Sequence, residues 1–216
     1  MKRLSLALNS ILLLAMFSVN ALAGVIITPT GVTSSTSADD LWSANNLING
    51  SGLSGGGLSA THAAVADTNS WVTNDPAGSN GAYFDQGPDP VLTFDLGGTY
   101  LMNNLHVWQY ALDNDNQART ATLEFSSTGT GGVFSGAIQV SLNKSTSPVP
   151  VQSFSFGPVS ANAARLTITG NYDGDSGDGG DRVGLSEIKF GSVPEPTSLV
   201  MFALASLVGV RRRRVA

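Results

Sequence analysis

The sequence contains no cysteine. Disulfide staples and thiol catalysis are thereby excluded, and stability must come from a packed core or a bound ion. Histidine is nearly absent, with His62 and His106 the only 2. Neither has zinc-type spacing, and no Gly-x-Ser-x-Gly elbow or phosphate-cradling loop occurs. Asp is plentiful, but abundance is not pairing, so the chain reads as having no catalytic site. Glu and Lys are scarce, whereas Gly, Ser, Thr, Asn and Asp abound. That composition favours strands and turns over helices.

The two ends differ from the rest. Met1-Lys2-Arg3 precedes an apolar run from Leu4 to Val19, and Ala21-Leu22-Ala23 follows. A positive start, an apolar stretch and a small-x-small site predict a signal peptide over residues 1–23, with Ala21 and Ala23 read by signal peptidase. At the other end stand Pro194-Glu195-Pro196, an apolar run from Thr197 to Val210, and Arg211, Arg212, Arg213 and Arg214. The run is shorter than the about 20 residues of a full helical span. The arginine block stops transfer and stays on the cytoplasmic side. These residues predict a C-terminal hydrophobic helix that holds the chain in the inner membrane. Proline on both sides of Glu195 keeps that segment extended, as a protease groove requires.

In this order, the three parts over 194–216 resemble the PEP-CTERM tail of Gram-negative, often exopolysaccharide-producing, bacteria. The resemblance implies an exosortase that recognises Pro194, Glu195 and Pro196 and removes the tail, so the anchor is transient. It places the product in the cell envelope, on the surface or in the extracellular matrix.

Residues 24–193 remain as one domain. Six of the 11 basic residues (Lys2, Arg3 and Arg211 to Arg214) lie in the end segments, against one of the 16 acidic residues, Glu195. The core therefore keeps 5 basic and 15 acidic residues, a net charge of −10 against −5 for the whole chain. Nucleic acid is disfavoured as a partner, because binding it needs a basic face. An acidic surface suits calcium or solubility.

Alternation and turn signals predict about eight short strands: Val25–Thr28, Val91–Leu96, Leu105–Tyr110, Ala121–Phe125, Ala137–Leu142, Val151–Phe156, Ala164–Thr169 and Val183–Phe190. No helical period appears outside the two ends. The expected fold is an all-β jelly-roll β-sandwich, flanked by the signal helix and the C-terminal helix.

Short motifs add a second resemblance. Asn45-Asn46-Leu47-Ile48-Asn49-Gly50, Trp71, Leu92 to Gly97, Leu105 to Tyr110, Ala164 to Ile168 and Val183 to Ile188 follow one another as in discoidin (F5/8 type C) domains. The resemblance implies a galactose-binding-like jelly roll. It also implies a structural calcium held by Asn49, the loop near Ser51 and Ser54, and Glu187. Calcium takes about 6–8 oxygen ligands, many of them backbone carbonyls. Here Asn49 replaces the family's usual Asp, and the disulfide of many extracellular members is missing. A second calcium candidate, read from composition alone, is the Gly-rich run with Asp173, Asp175, Asp178 and Asp181. Without a cation those carboxylates repel one another.

Sugar binding calls for aromatic faces with polar neighbours on loops. His62, Trp71, Tyr83, Arg119 and Tyr172 are the candidates, while Trp108 in an alternating strand reads as core. The leading expectation is a non-enzymatic surface or matrix protein that binds carbohydrate, namely exopolysaccharide. The alternatives are a structural or adhesive biofilm or envelope protein without a sugar site, and a secreted polysaccharide hydrolase.

Overall fold

The computed structural model describes residues 24–66, 68–76, 81–175 and 177–193. The signal helix, the C-terminal helix and the processing residues Ala21, Ala23, Pro194, Glu195, Pro196 and Arg211 to Arg214 lie outside the described residues. Among those described, no helix is long and apolar enough to cross a membrane.

The described chain is all-β. Its strands are β1 (Ile26–Ile27), β2 (Gly31–Ser34), β3 (Leu53–Ser54), β4 (Thr61–His62), β5 (Trp71–Val72), β6 (Val91–Gln109), β7 (Ala118–Ser126), β8 (Ser135–Ser141), β9 (Val149–Asn171) and β10 (Gly184–Ser192). All pairings between these strands are antiparallel. Helical structure is confined to short turns, the longest being four residues.

Strands β6 and β9 build both layers. The first part of β6, Val91–Asp95, lies between β2 and the end of β9, which passes the layer on to β7 and β8. The last part of β6, Leu105–Trp108, lies between β10 and the start of β9, Val151–Phe154. The start of β9 continues to β4 and β3, while β1 and β5 flank β10. The crossing point is a bulge: Asp95 pairs with Ala163, yet the next pair is Tyr100 with Ala161. Such bulges bend a strand and let it change sheets. Gly97 sits in this bulge at φ 75°, and a Cβ there would stand 2.5 Å from Thr30 Cγ2.

The strand count departs from the expectation for two reasons. Two pairs of predicted strands are single bent strands, because ladder pairing resumes past Gly97-Gly98 and past Gly157. Four short strands, β2 to β5, were not predicted, because runs of two to four residues carry no readable period.

Alternating residues from both layers fill one core. Leu92, Phe94 and Leu96 come from one part of β6, Leu105 and Val107 from the other, with Leu123, Leu166, Ile168, Leu185 and Ile188 around them. Phe94 and Phe190 meet edge to face across the layers, their centroids 5.8 Å apart. A second cluster lies outside the main core, where Trp108, Ala60, Ala111 and Val149 pack with Leu53, Val65 and Val151. Trp108 is buried as expected, and its Nε1 donates to the Ala60 carbonyl at 2.9 Å.

The two ends of the domain meet at the far end of β10. Ser192 N donates to Val25 O at 2.9 Å, and Val193 N donates to Leu101 O at 2.8 Å.

Replacing Phe94 with Ala is expected to cost about 3–5 kcal/mol, read as a lower urea midpoint at unchanged slope. Val133, 84% exposed, gives the control: Val133→Ala stays within about 0.5 kcal/mol of the parent.

Candidate functional site

The near end of β10, at Gly184, carries the polar loops. Three segments meet there: residues 110–117 after β6, residues 172–183 between β9 and β10, and the turn around Tyr83. Asp115 organises them. Its side chain is fully buried, and its Oδ1 lies 2.8 Å from Lys144 Nζ. Its Oδ2 accepts from Gly177 N at 3.1 Å. Its backbone N donates to Asp178 O, and its carbonyl accepts from Tyr172 N. The hydrogen bond to Asp115 pushes the Lys144 ammonium above its ordinary pKa and keeps it charged.

Two amides complete the tie. Asn116 Oδ1 accepts from Gly180 N at 2.6 Å and from Arg182 N at 3.3 Å. Asn171 Nδ2 donates to the carbonyls of Gly180 and Arg182. The Gly180 carbonyl also accepts from Tyr83 N. Gly180 has φ 93°, and a Cβ there would stand 2.1 Å from Asp173 Oδ1. The Asp/Gly run is thus a fastened loop, with glycine required where it turns against its neighbours.

A cleft of about 540 Å³ opens between these segments. Asp173, Asp178 and Asp181 supply its carboxylates, Asn114 and Asn116 its amides, and Gly81, Ala82, Gly177 and Gly179 its backbone edges. An aromatic pair packs at the same end of β10, where a Cβ on Gly184 would stand 2.6 Å from Tyr110 Cδ2. Trp42, half-buried, lies 6.5 Å from the Tyr110 ring. Burial pushes the Tyr110 phenol up to about 12, with Arg182 opposing and cleft-lining Asp181 reinforcing.

The carbohydrate candidates separate into two groups. His62, Trp71 and Tyr83 are buried, which corrects the expectation that their rings face a ligand. Trp71 fills the main core, and its Nε1 donates to Ser34, Thr36 and Ser37. Tyr83 packs against Gly87 and Phe84, and its hydroxyl donates to Pro88 O. His62 lies under the 50–54 turn, with each ring nitrogen 2.9 Å from a carbonyl, of Ala63 or Ser51. Arg119 and Tyr172 do reach the loop end. Arg119 and Lys144 lie against the Tyr172 ring at 5.1 and 5.8 Å, and the Tyr172 hydroxyl donates to Leu142 O. That ring is half-buried and braces the loops.

The metal candidates also separate. Asp175 faces Arg119 at 3.9 Å and Asp181 faces Arg182 at 3.7 Å. Among the described residues no three His, Cys, Asp or Glu side chains converge to hold a metal. Two of the four aspartates thus face arginines, and no three of them converge on one point.

Glu187 is different. It is fully buried on β10; Oε2 accepts from Gly50 N at 3.2 Å, while Oε1 has no hydrogen-bond partner. Lys189 Nζ stands 3.7 Å from Oε1. Burial raises the Glu187 pKa from 4.5 to about 7, with Lys189 and the Gly50 N–H opposing. Asn49 Oδ1 accepts from Ser51 N at 2.7 Å, closing the turn above it. An orphaned buried carboxylate oxygen beneath a carbonyl-rich turn fits a hard divalent cation. Ser54 lies exposed in β3 opposite Thr61.

Asn114, Asn116 and Trp42 were missed from the sequence. The run Asp113-Asn114-Asp115-Asn116 reads as an ordinary turn, and nothing local distinguishes a buried Asx from a solvated one.

Comparison with known proteins agrees with both ends of this description. Residues 192–214 match the model of the PEP-CTERM protein-sorting motif. No curated protein sequence matches the chain. Solved structures share the fold. One is the CBM32-5 module of CpGH89 from Clostridium perfringens, in complex with GalNAc-β-1,3-galactose (17% identity, 74% of this chain and 93% of that one, TM-score 0.51). Another is the family 32 module of NanJ from the same organism, in complex with galactose (12% identity, 78% and 100%, TM-score 0.50). A third is the C-terminal domain of a chitobiase from Bacteroides fragilis (15% identity, 78% and 99%, TM-score 0.50). The chain thus carries a PEP-CTERM sorting motif behind an all-β domain with the jelly-roll fold of these discoidin-like modules.

Substituting Asp115 with Ala strands Lys144 and the Gly177 N–H. The expected cost is about 1–3 kcal/mol, with faster hydrogen exchange at Gly177, Asp178 and Gly180. Unchanged exchange at those amides would show that the loop is fastened elsewhere.

Proposed function

We propose that this is an exported, non-enzymatic carbohydrate-binding protein of the cell surface or extracellular matrix, whose ligand is the exopolysaccharide of the producing bacterium. Signal peptidase trims residues 1–23. An exosortase acts at Pro194-Glu195-Pro196, after the C-terminal helix has held the chain in the inner membrane of a Gram-negative-type envelope.

The cleft at the Gly184 end of β10 carries this reading. It combines carboxylate acceptors and buried amides, with an aromatic pair at the same end of β10, the mixture a polyhydroxylated ring needs. The known modules that share the fold support it. On a glycan array and in pull-downs with the native extracellular polysaccharide, the full chain binds, and Trp42→Ala weakens binding about tenfold. Silence in both assays overturns the proposal.

A structural Ca²⁺ belongs to the same proposal. Glu187 Oε1 and the carbonyls of the Asn49–Ser51 turn would hold it, pinning that turn to β10. Without metal, the folded state binds the Glu187 proton more tightly than the unfolded chain does. Stability is then highest below pH 4.5 and falls as pH rises to about 7, by on the order of 3 kcal/mol. Millimolar Ca²⁺ at pH 7.5 raises the melting temperature, and Glu187→Gln removes both the pH dependence and the calcium response. A Glu187→Gln variant that still responds fully to calcium would place the ion elsewhere.

A further inference from the structure

We infer that β8 is a pairing edge for a second copy of this chain, joined strand to strand across a twofold axis at Gln139. The open edge is the first observation. Among the described residues, β8 pairs with β7 alone. In an antiparallel ladder a residue's N–H and C=O point to one side, and successive residues alternate. Leu142 N donates to Arg119 O, in the register that sets Val140 against Ala121 and Ile138 against Leu123. Gln139 and Ser141 therefore aim their backbone groups away from β7, and both residues are exposed. Natural edges are blunted by charge, by proline, by bulges or by short length. Strand β8 is seven residues long and contains no charged residue and no proline. Its register shift lies at the start, where Gly136 has φ 73°, and leaves the rest of the edge open.

The second observation is where the charge lies. Residues 116–172, which hold β7, β8 and β9, carry Arg119, Lys144 and Arg165 against Glu124 alone, a net charge of +2. The domain's −10 thus leaves −12 on its remaining residues. Glu124 is itself held by Arg165 at 2.8 Å. Two copies that approach through their acidic loops repel one another, whereas two β8 edges bring no carboxylate of their own. The side chains fit the same symmetry. An axis at Gln139 sets it against its counterpart and sets Ala137 against Ser141 of the second copy. On the other face, half-buried Ile138 meets Val140 of the second copy, an apolar cross-strand pair. Such an interface is isologous and closes at two copies. The dimer carries two Gly184-end clefts and so grips a polymer at two points. That consequence rests on the carbohydrate reading, but the pairing does not.

The test is light scattering of the full chain from about 1 μM to about 1 mM, with amide hydrogen exchange on the same samples. A dimer is expected, and the Gln139 and Ser141 amides gain protection as it forms. Added salt tightens it, because screening relieves the repulsion between two acidic domains. Gln139→Lys and Gln139→Glu each set like charges directly opposite one another. Each weakens the dimer about tenfold or more at the parent melting temperature, since the side chain is exposed. Mixing the two variants restores pairing. Four results would overturn the inference: a monomer at every concentration; association that leaves those two amides unprotected; association that weakens with salt, as a head-to-tail contact of basic layer on acidic loops would; and variants that associate like the parent. None of these results bears on sugar binding, which the glycan array decides separately.

Discussion

A carboxylate taken out of water must be matched by donors, and Asp115 meets that demand with its neighbours' backbone and one lysine. Lys144, the Gly177 N–H and the main chains of Asp178 and Tyr172 all converge on it. In a chain without cysteine, this contact does for the β9–β10 loop what a disulfide does in many secreted domains. It converts a glycine-rich, acidic segment into one wall of a cleft. Asn116 and Asn171 extend the tie to Gly180 and Arg182, which leaves Asp173 and Asp178 facing open space.

The fold beneath that end rests on two bent strands. Because β6 and β9 each serve both layers, the core residues Leu92, Phe94, Leu105 and Val107 share one strand and pack from both sides. Glycine at position 97 permits the bend. A sandwich built this way needs few separate elements, so the segment from residue 35 to residue 90 is free to be irregular. Part of it covers the outer face of β6 and β9 with the Trp108 cluster. That cover places Glu187 under the 50–54 turn.

Legibility from sequence followed the length of the pattern. Alternation in Val91–Leu96, Leu105–Tyr110, Ala121–Phe125 and Ala164–Thr169 was long enough to read, and the structure has strands there. Two-residue strands such as β4 and β5 are created by their partners and leave no period. Side-chain fate was harder. Trp71 and Tyr83 look like loop aromatics because polar and glycine residues surround them, yet both are anchors on which those loops fold. Asn114 and Asp115 look like turn residues because short polar side chains serve exposed turns and buried ties equally well. Glu187 was read from family resemblance, and what the structure adds is the orphaned oxygen on which the proposed cation rests.

The central claim is that the Gly184 end of the sandwich is where ligand binds. Amide chemical shifts of the full chain, recorded while oligosaccharide fragments of the native extracellular polysaccharide are added, test it most directly. The account predicts that shifts move at Asn114, Asn116 and Gly177 to Asp181 and at the Trp42 indole, while Val25 and Ser192 at the opposite end stay fixed. Movement concentrated on the β8 edge or around Val25 and Ser192, with the 177–181 amides unchanged, would contradict it.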